Sequence, residues 1–207
     1  MRAKANEMFE DILKIANLYN DGYDRVKERR EQWLARYEEL RDHLKKISEH
    51  LNTNASYMQG FFVDTLHAFN EDIRGTSARM PSVTFRSGPM PMLVTFRNSM
   101  GEKKTYNEEG FSISFNPTIT GQVVVLLQPH YSDLDKEMPE LISLAVYNDP
   151  SQITLEEVDR IIVQGMEEAF YSSFTGMGTS WQDENANNTP PQRTLIGFKR
   201  HDTTEKI

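Results

Sequence analysis

The sequence predicts an α+β fold in which long N-terminal helices, arranged as a helical hairpin or a coiled-coil-like arm, precede an antiparallel β-sheet covered by a C-terminal helix. An apolar 4-3 repeat in the first fifty residues, an alternating pattern after Arg74-Gly75-Thr76 and a capping signal at Thr154 support this prediction. We accordingly divide the chain into a helical segment, 1–75, and a sheet-and-helix module, 76–180. The Asn-, Thr- and Pro-rich composition after the module predicts a mostly disordered tail, 181–207.

A continuous apolar seam predicts the first helix. A 3.5-residue repeat keeps one stripe of a helix turned toward a partner. Gly costs about 1 kcal/mol in a helix interior, so the turn-forming triplet Asn20-Asp21-Gly22 predicts a break or kink. Only Arg30 is polar among the seam residues, which are Ala5, Phe9, Ile12, Ala16, Tyr19, Tyr23, Val26, Arg30, Trp33, Tyr37, Leu40, Leu44, Ile47 and Leu51.

A second, shorter seam predicts another helix. Its phase differs from that of the first seam by four residues, so it is either a stutter in one very long helix or the start of a separate helix. Asn52 to Ser56 can form a capped connection, because Asn, Thr and Ser side chains bond to nearby backbone groups. We favour a separate helix, folded back on the first. The second seam consists of Met58, Phe62, Leu66, Phe69 and Ile73.

The charges beside the first seam indicate what covers it. Two parallel copies of the section after Tyr23 would set Arg36 against Arg41, and an antiparallel copy would oppose the same arginines, so a simple self-paired coiled coil is disfavoured. We expect the seam to be shielded from water by a surface unlike itself: another helix of this chain, its β module or a different protein. The basic flanking residues are Lys27, Arg29, Arg36, Arg41, His43 and His50. The interaction-surface candidates are Trp33, Tyr37, Leu40 and Leu44.

Alternating residues predict five strands and a further helix. Phe111, Ile113 and Phe115 alternate with serines, which indicates one buried and one wet face. Short loops between the strands predict antiparallel neighbours. Glu157 stands three residues after Thr154, the spacing of a capping box, so a helix is expected to begin there and to cover the sheet. The predicted strands are Ser82–Arg86, Met92–Arg97, Phe111–Phe115, Gln122–Gln128 and Leu141–Tyr147.

Charge is unevenly distributed along the β-rich half. Residues 76–104 carry a net charge of +4 and residues 105–185 a net charge of −12. If Ser87-Gly88-Pro89 joins the first two strands as a hairpin, Arg86 and Arg97 are expected to project from the same solvent-exposed face of the two strands. Such a face suits an anion, a phosphate-rich ligand or a nucleic acid, although it can instead neutralise the acidic strands of the same domain. The anion-binding candidates are Arg86, Arg97, Lys103 and Lys104.

The composition excludes several classes of function. Without cysteine the chain has no disulfide, no thiolate metal site and no cysteine nucleophile. The formal net charge of −8 argues against a general nucleic-acid coat and against a binder of anionic membranes. The charged N-terminus lacks the apolar run of a signal peptide, and no stretch is long enough for a membrane span. We therefore expect a cytoplasmic location.

No residue is predicted to be catalytic, and no cofactor or metal is expected. His130 follows a strand and lies near Asp133 and Asp135 in sequence, so it is a candidate base, but no nucleophile motif accompanies it. We predict a non-enzymatic protein-interaction or assembly protein that uses its helical arm as a docking surface, for a protein partner or for self-association. The alternative is an anion-, phosphate- or nucleic-acid-binding module that uses the basic β-hairpin.

Overall fold

The structure is a computed structural model that describes residues 2–54, 60–68, 80–97, 99–132 and 138–176. The predicted tail, 181–207, lies outside these residues. In chain order the elements are α1 Arg2–Asn54, β1 Phe61–Ala68, β2 Met80–Ser87, β3 Met90–Arg97, β4 Lys103–Glu109, β5 Ser112–Pro117, β6 Val123–Gln128, β7 Tyr131–Ser132, β8 Ile142–Tyr147, a short 3-10 helix Pro150–Gln152 and α2 Leu155–Ser172.

The strands form two antiparallel sheets. The larger sheet has the order β1-β2-β5-β6-β8, and the smaller has the order β3-β4-β7. Every pair of neighbouring strands within the described residues is antiparallel, and for β3–β4 and β5–β6 the short connections predicted this. The structure therefore confirms an α+β fold with one long N-terminal helix, antiparallel sheets and a C-terminal helix.

The hydrophobic core lies on one face of the five-stranded sheet. Alternate residues of β2, β5 and β6, among them Phe85, Phe115 and Val125, are fully buried. Both helices contribute to this core, α1 through residues such as Trp33 and α2 through residues such as Ile161. Gly165 shows how closely α2 approaches the sheet, because a Cβ atom there would lie 2.4 Å from Cδ1 of Ile113. The sheet and both helices thus share one core.

The predicted break in the first helix is wrong. Helix α1 runs without interruption through Asn20-Asp21-Gly22 and ends at Asn54. A single Gly costs about 1 kcal/mol, whereas a helix that is already nucleated gains a hydrogen bond with each added residue. The rest of α1 is anchored on the sheet, so elongation through Gly22 is favoured over a new turn.

The second predicted helix is also wrong where the structure describes its residues, because Phe62 and Leu66 lie in β1, an edge strand that pairs with β2, and Met58, Phe69 and Ile73 lie outside the described residues. Asn52, near the end of α1, holds the start of this strand. Its side-chain oxygen accepts from the backbone N–H of Phe61 at 2.7 Å, and its amide donates to the carbonyl of Phe61 at 2.9 Å. The segment 1–75 therefore contributes a strand to the sheet as well as the long helix.

The predicted hairpin between β2 and β3 is not formed. Strand β2 already has β1 and β5 as neighbours, so both of its edges are paired. The loop backbone bonds elsewhere, since Ser87 N–H donates to the carbonyl of Phe111 at 3.1 Å and Gly88 N–H to that of Gly60 at 3.0 Å. Strand β3 pairs instead with β4, which the sequence pattern did not predict.

The start of α2 confirms half of the capping box. Thr154 Oγ1 accepts from the backbone N–H of Glu157 at 3.2 Å, as an N-cap residue does. The carboxylate of Glu157 does not reach back to Thr154. It accepts from Nε of Arg160 at 2.9 Å and from the hydroxyl of Tyr147 at 2.6 Å, and these bonds lower the pKa of Glu157 to about 2.

Candidate interaction surface

The seam of α1 is divided between a buried part and an exposed part. From Trp33 to Leu51 its residues pack on the core of the chain, whereas the large apolar residues from Met8 to Tyr23 are exposed. The expectation that the whole seam is shielded from water thus holds within this chain only for the part from Trp33 to Leu51. The β module of the same chain covers that part.

The four interaction-surface candidates, Trp33, Tyr37, Leu40 and Leu44, lie inside the core. Their exposed fractions are 0%, 5%, 0% and 0%. Trp33 also donates its indole N–H to the carbonyl of Pro81 at 2.8 Å, which fixes α1 against β2. These side chains are therefore occupied by the sheet and form no free surface for another protein, a correction to their predicted role.

The exposed part of the seam forms a surface that we call the arm face, consisting of Met8, Phe9, Ile12, Ile15, Tyr19 and Tyr23. Their exposed fractions range from 54% for Ile12 to 78% for Tyr19. In a helix these positions recur at three- and four-residue intervals and so share one side. Polar residues occupy the opposite side, including Asn17, Asp21 and Asp24. The first part of α1 is thus an amphipathic helix whose apolar side has no cover within the described residues.

The arginines that flank the buried part of the seam are paired within α1. Arg36 forms an ion pair with Glu39, and Arg41 bonds to Asp42 at 2.9 Å and to Glu38. His43 reaches Asp159 of α2, with 2.7 Å between Nε2 and the carboxylate oxygen. Arg36, Arg41 and His43 of the basic edge therefore each contact a carboxylate of the same chain.

The anion-binding candidates do not lie together as predicted. Arg86 belongs to the five-stranded sheet, where it pairs with Asp64 of β1 and lies over the ring of Phe62, with 4.9 Å from its guanidinium carbon to the ring centre. Arg97 belongs to the three-stranded sheet. The two arginines thus do not lie on adjacent strands, because the connection between β2 and β3 leads from one sheet to the other.

Three of the candidates lie on the β3–β4 hairpin, with Arg97 and Lys103 on one face and Lys104 on the other. Arg97 is the cross-strand partner of Lys103, and Lys104 is the partner of Phe96. All three basic side chains are exposed. Like charges directly opposite each other on paired strands are destabilising, so an anion bound at this end of the hairpin would relieve repulsion.

His130 is part of a buried polar cluster that joins β4 to the end of α2. Its Nδ1 lies 3.1 Å from the carbonyl of Glu109 and 3.4 Å from Oε2 of Glu108. Glu108 accepts from the hydroxyl of Ser173 and from the backbone N–H of Phe174, each at 2.7 Å. Burial is the largest influence on His130 and lowers its pKa, although Glu108 opposes the shift.

This cluster does not have the geometry of a catalytic triad. A triad requires a histidine between the nucleophile and the carboxylate, whereas here the carboxylate of Glu108 lies between His130 and Ser173. The side chains of His130 and Glu108 are only 3% and 4% exposed, so a substrate has no access to them. Asp133 and Asp135, the predicted partners of His130, lie outside the described residues. Glu108 was not predicted, because a glutamate is almost never fully buried unless it is paired.

Two further features bear on function. Among the residues that the structure describes, no helix is sufficiently long and apolar to cross a membrane. Within the same ranges, no group of histidine and carboxylate side chains is arranged to hold a metal ion.

The chain matches no family model, and neither a curated protein nor a solved structure matches it.

Proposed function

We propose that this chain is a non-enzymatic protein-interaction or assembly module and that the arm face is its docking surface. The observation that carries the proposal is the exposure of six large apolar side chains along one side of α1, each more than half exposed. Contiguous exposed apolar surface of this kind marks sites of protein interaction.

The free energy available from covering the arm face supports this function. Full burial of one large apolar side chain is worth about 1.5–3 kcal/mol. Three members of the arm face are aromatic: Phe9, Tyr19 and Tyr23. Tyrosine is enriched in interfaces because its ring packs while its hydroxyl finds a polar partner. Partial burial of all six side chains would therefore stabilise a complex by several kcal/mol.

Site-specific photocrosslinking in cells tests the proposal. A benzophenone amino acid replaces Tyr19 on the arm face in one variant and Asn17 on the opposite side of the same helix in another. We expect a covalent protein adduct from the Tyr19 variant, because a docked partner lies within reach of that position, and none from the Asn17 variant. The partner is then identified by mass spectrometry of the adduct.

The matched positions make the result decisive. Both residues are exposed and lie two positions apart, so nonspecific encounters with other proteins should label both positions equally. Introducing Ile12→Asp into the Tyr19 variant should abolish the adduct, since a charge then sits in the apolar contact. Equal labelling from both positions, or no adduct from either, would show that the arm face is not a docking surface.

A second candidate function, anion binding at the β3–β4 hairpin, is supported by the exposed trio Arg97, Lys103 and Lys104. A labelled polyphosphate chain is the probe. We expect its binding to weaken steeply with added salt and to fall on Lys103→Glu, because phosphate contacts release counterions. Arg86→Glu is the control, since Arg86 is already paired with Asp64 and should leave binding unchanged. If the affinity for polyphosphate changes neither with added salt nor with Lys103→Glu, anion binding at the β3–β4 hairpin is ruled out as a function.

A further inference from the structure

We infer that the partner of the arm face is the arm face of a second copy of this chain, packed against it in antiparallel orientation. This inference rests on the proposed function and adds the identity of the partner. In the orientation that we propose, Ala16 of one copy lies opposite Tyr19 of the other.

The charges that disfavour self-pairing lie outside the exposed part of the helix. The arginines that would repel each other, Arg36 and Arg41, flank the part of the seam that is buried on the sheet. Within 8–27 the only charged seam or flanking residue is Lys27, whose two copies lie at opposite ends of the antiparallel pair; the other flanking residues are Met8, Leu13, Ile15, Asn20 and Gly22. Two arm faces can therefore meet without bringing like charges together.

The position of the β module determines the orientation. The sheet covers the continuation of the same seam, which drifts by about 20° per heptad along a straight helix, so the sheet lies within about a quarter turn of the arm face around α1. Two parallel arms in face-to-face contact would force both sheets into the same space. In the antiparallel orientation the β modules lie at opposite ends of the pair, which removes the collision.

The length of the exposed section matches this arrangement. The β5–β6 turn approaches α1 at Arg29, where a Cβ atom on Gly121 would lie 2.6 Å from Cβ of Arg29. With Ala16 opposite Tyr19, Arg29 of one copy is level with residue 6 of the other. Residues 8–27 of each copy are then free to pair, and the two Arg29 residues are about 34 Å apart along the helix axis at ~1.5 Å per residue.

The sizes of the side chains also favour the antiparallel register. Opposite pairs would be Phe9 with Val26, Ile12 with Tyr23, and Ala16 with Tyr19, so each layer combines a larger side chain with a smaller one. A parallel pair would instead stack Tyr19 on Tyr19 and Tyr23 on Tyr23 beside a layer of two alanines. Cores pack best when large and small residues face each other.

The area that a pair of arm faces can bury approaches that of a standard interface. Each Phe or Tyr side chain can bury about 150–250 Å². Phe9, Tyr19 and Tyr23 are 63%, 78% and 73% exposed. In two copies they would together bury roughly 600–1,100 Å², and the aliphatic members of the arm face extend this toward the about 1,200–2,000 Å² of a standard interface.

Engineered cysteines test the register, because the full chain contains no cysteine of its own. We expect a mixed disulfide when an Ile12→Cys chain is combined with a tagged Tyr23→Cys chain under mild oxidation. Neither variant alone should form a disulfide-linked dimer. In the antiparallel pair the two copies of residue 12 are about 16 Å apart along the axis at ~1.5 Å per residue, whereas a disulfide needs Cα atoms within about 7 Å.

Light scattering tests the oligomeric state on the full chain. We expect a mass of about 48 kDa, twice the 24.0 kDa of one chain. Tyr19→Asp should give monomers, whereas the control Asn17→Asp should remain dimeric, with circular dichroism showing that both are folded. Monomeric parent chain at the highest attainable concentration, or disulfide formation by each single variant alone, overturns the inference. If the parent is monomeric but the Tyr19 photocrosslink captures another protein specifically, the inference fails while the proposed function stands.

Discussion

Replacing Trp33 by alanine is expected to lower the free energy of unfolding by about 3–5 kcal/mol, the range for truncating a buried aromatic residue. Trp33 is 0% exposed and lies in the core beside Tyr37, with 6.2 Å between the ring centres. The substitution also removes the indole N–H that donates to the carbonyl of Pro81. Urea unfolding followed by far-UV circular dichroism measures the loss.

Leu34→Ala is the matched control for this prediction. Leu34 is the next residue of the same helix and is 47% exposed. Alanine has the highest helix propensity, so this change should cost less than about 1 kcal/mol. A cost for Trp33→Ala no greater than that for Leu34→Ala would contradict the packing of α1 on the sheet.

The second large effect is expected at Glu108, whose replacement by alanine should cost about 1–3 kcal/mol. Its carboxylate accepts the backbone N–H of Phe174 and the hydroxyl of Ser173. A buried donor that loses its acceptor costs about 1–3 kcal/mol. Ser173 can turn to Thr175, 2.8 Å away, but the N–H of Phe174 has a fixed direction. The loss thus arises mainly from the backbone group.

Glu109→Ala provides the control for Glu108→Ala. Glu109 follows directly in β4 but its side chain is exposed, and its backbone carbonyl beside His130 survives the substitution. We expect this variant to unfold within about 0.5 kcal/mol of the parent, as for most surface changes. If the two variants have equal stability, the buried cluster does not fasten the end of α2 to β4.

Elements with a clear period were predictable from the sequence. Ile113 and Phe115 alternate with serines, and the structure buries them on one side of β5. The Thr154 cap likewise marked the start of α2. These features are local, so the residues that decide them stand close together in the chain.

Elements decided by distant partners were not predictable. Phe62, Leu66 and Phe69 have helical spacing, but β2 offers an open edge and the residues from Phe61 to Ala68 pair with it. Strand β4 was missed because Lys103 to Glu109 contains one large apolar residue, Tyr106, which stacks on Phe96 at 4.3 Å. Neither the β1–β2 pairing nor the β3–β4 pairing can be recognised from the order of apolar and polar residues in the sequence.

The candidate site was predicted only in part. The seam identified the correct side of α1, but its strongest members, such as Trp33 and Leu40, are the ones that the chain covers itself. Sequence alone cannot say where the sheet ends along a uniform seam. That limit lies near Arg29, where Gly121 contacts the helix, and it determines which residues are left exposed.

Because α1 is one unbroken helix, the direction of its exposed part, residues 8–23, is set by the packing of the rest of the helix on the sheet. Each residue inserted between Tyr23 and Arg29 would rotate Tyr19 and Tyr23 around the helix axis by about 100° relative to the sheet. Seven inserted residues would return them to within about 20° of their original direction. The direction of the arm face is therefore set by the number of residues in the helix, and only certain insertions, such as about seven or eleven residues, would leave it nearly unchanged.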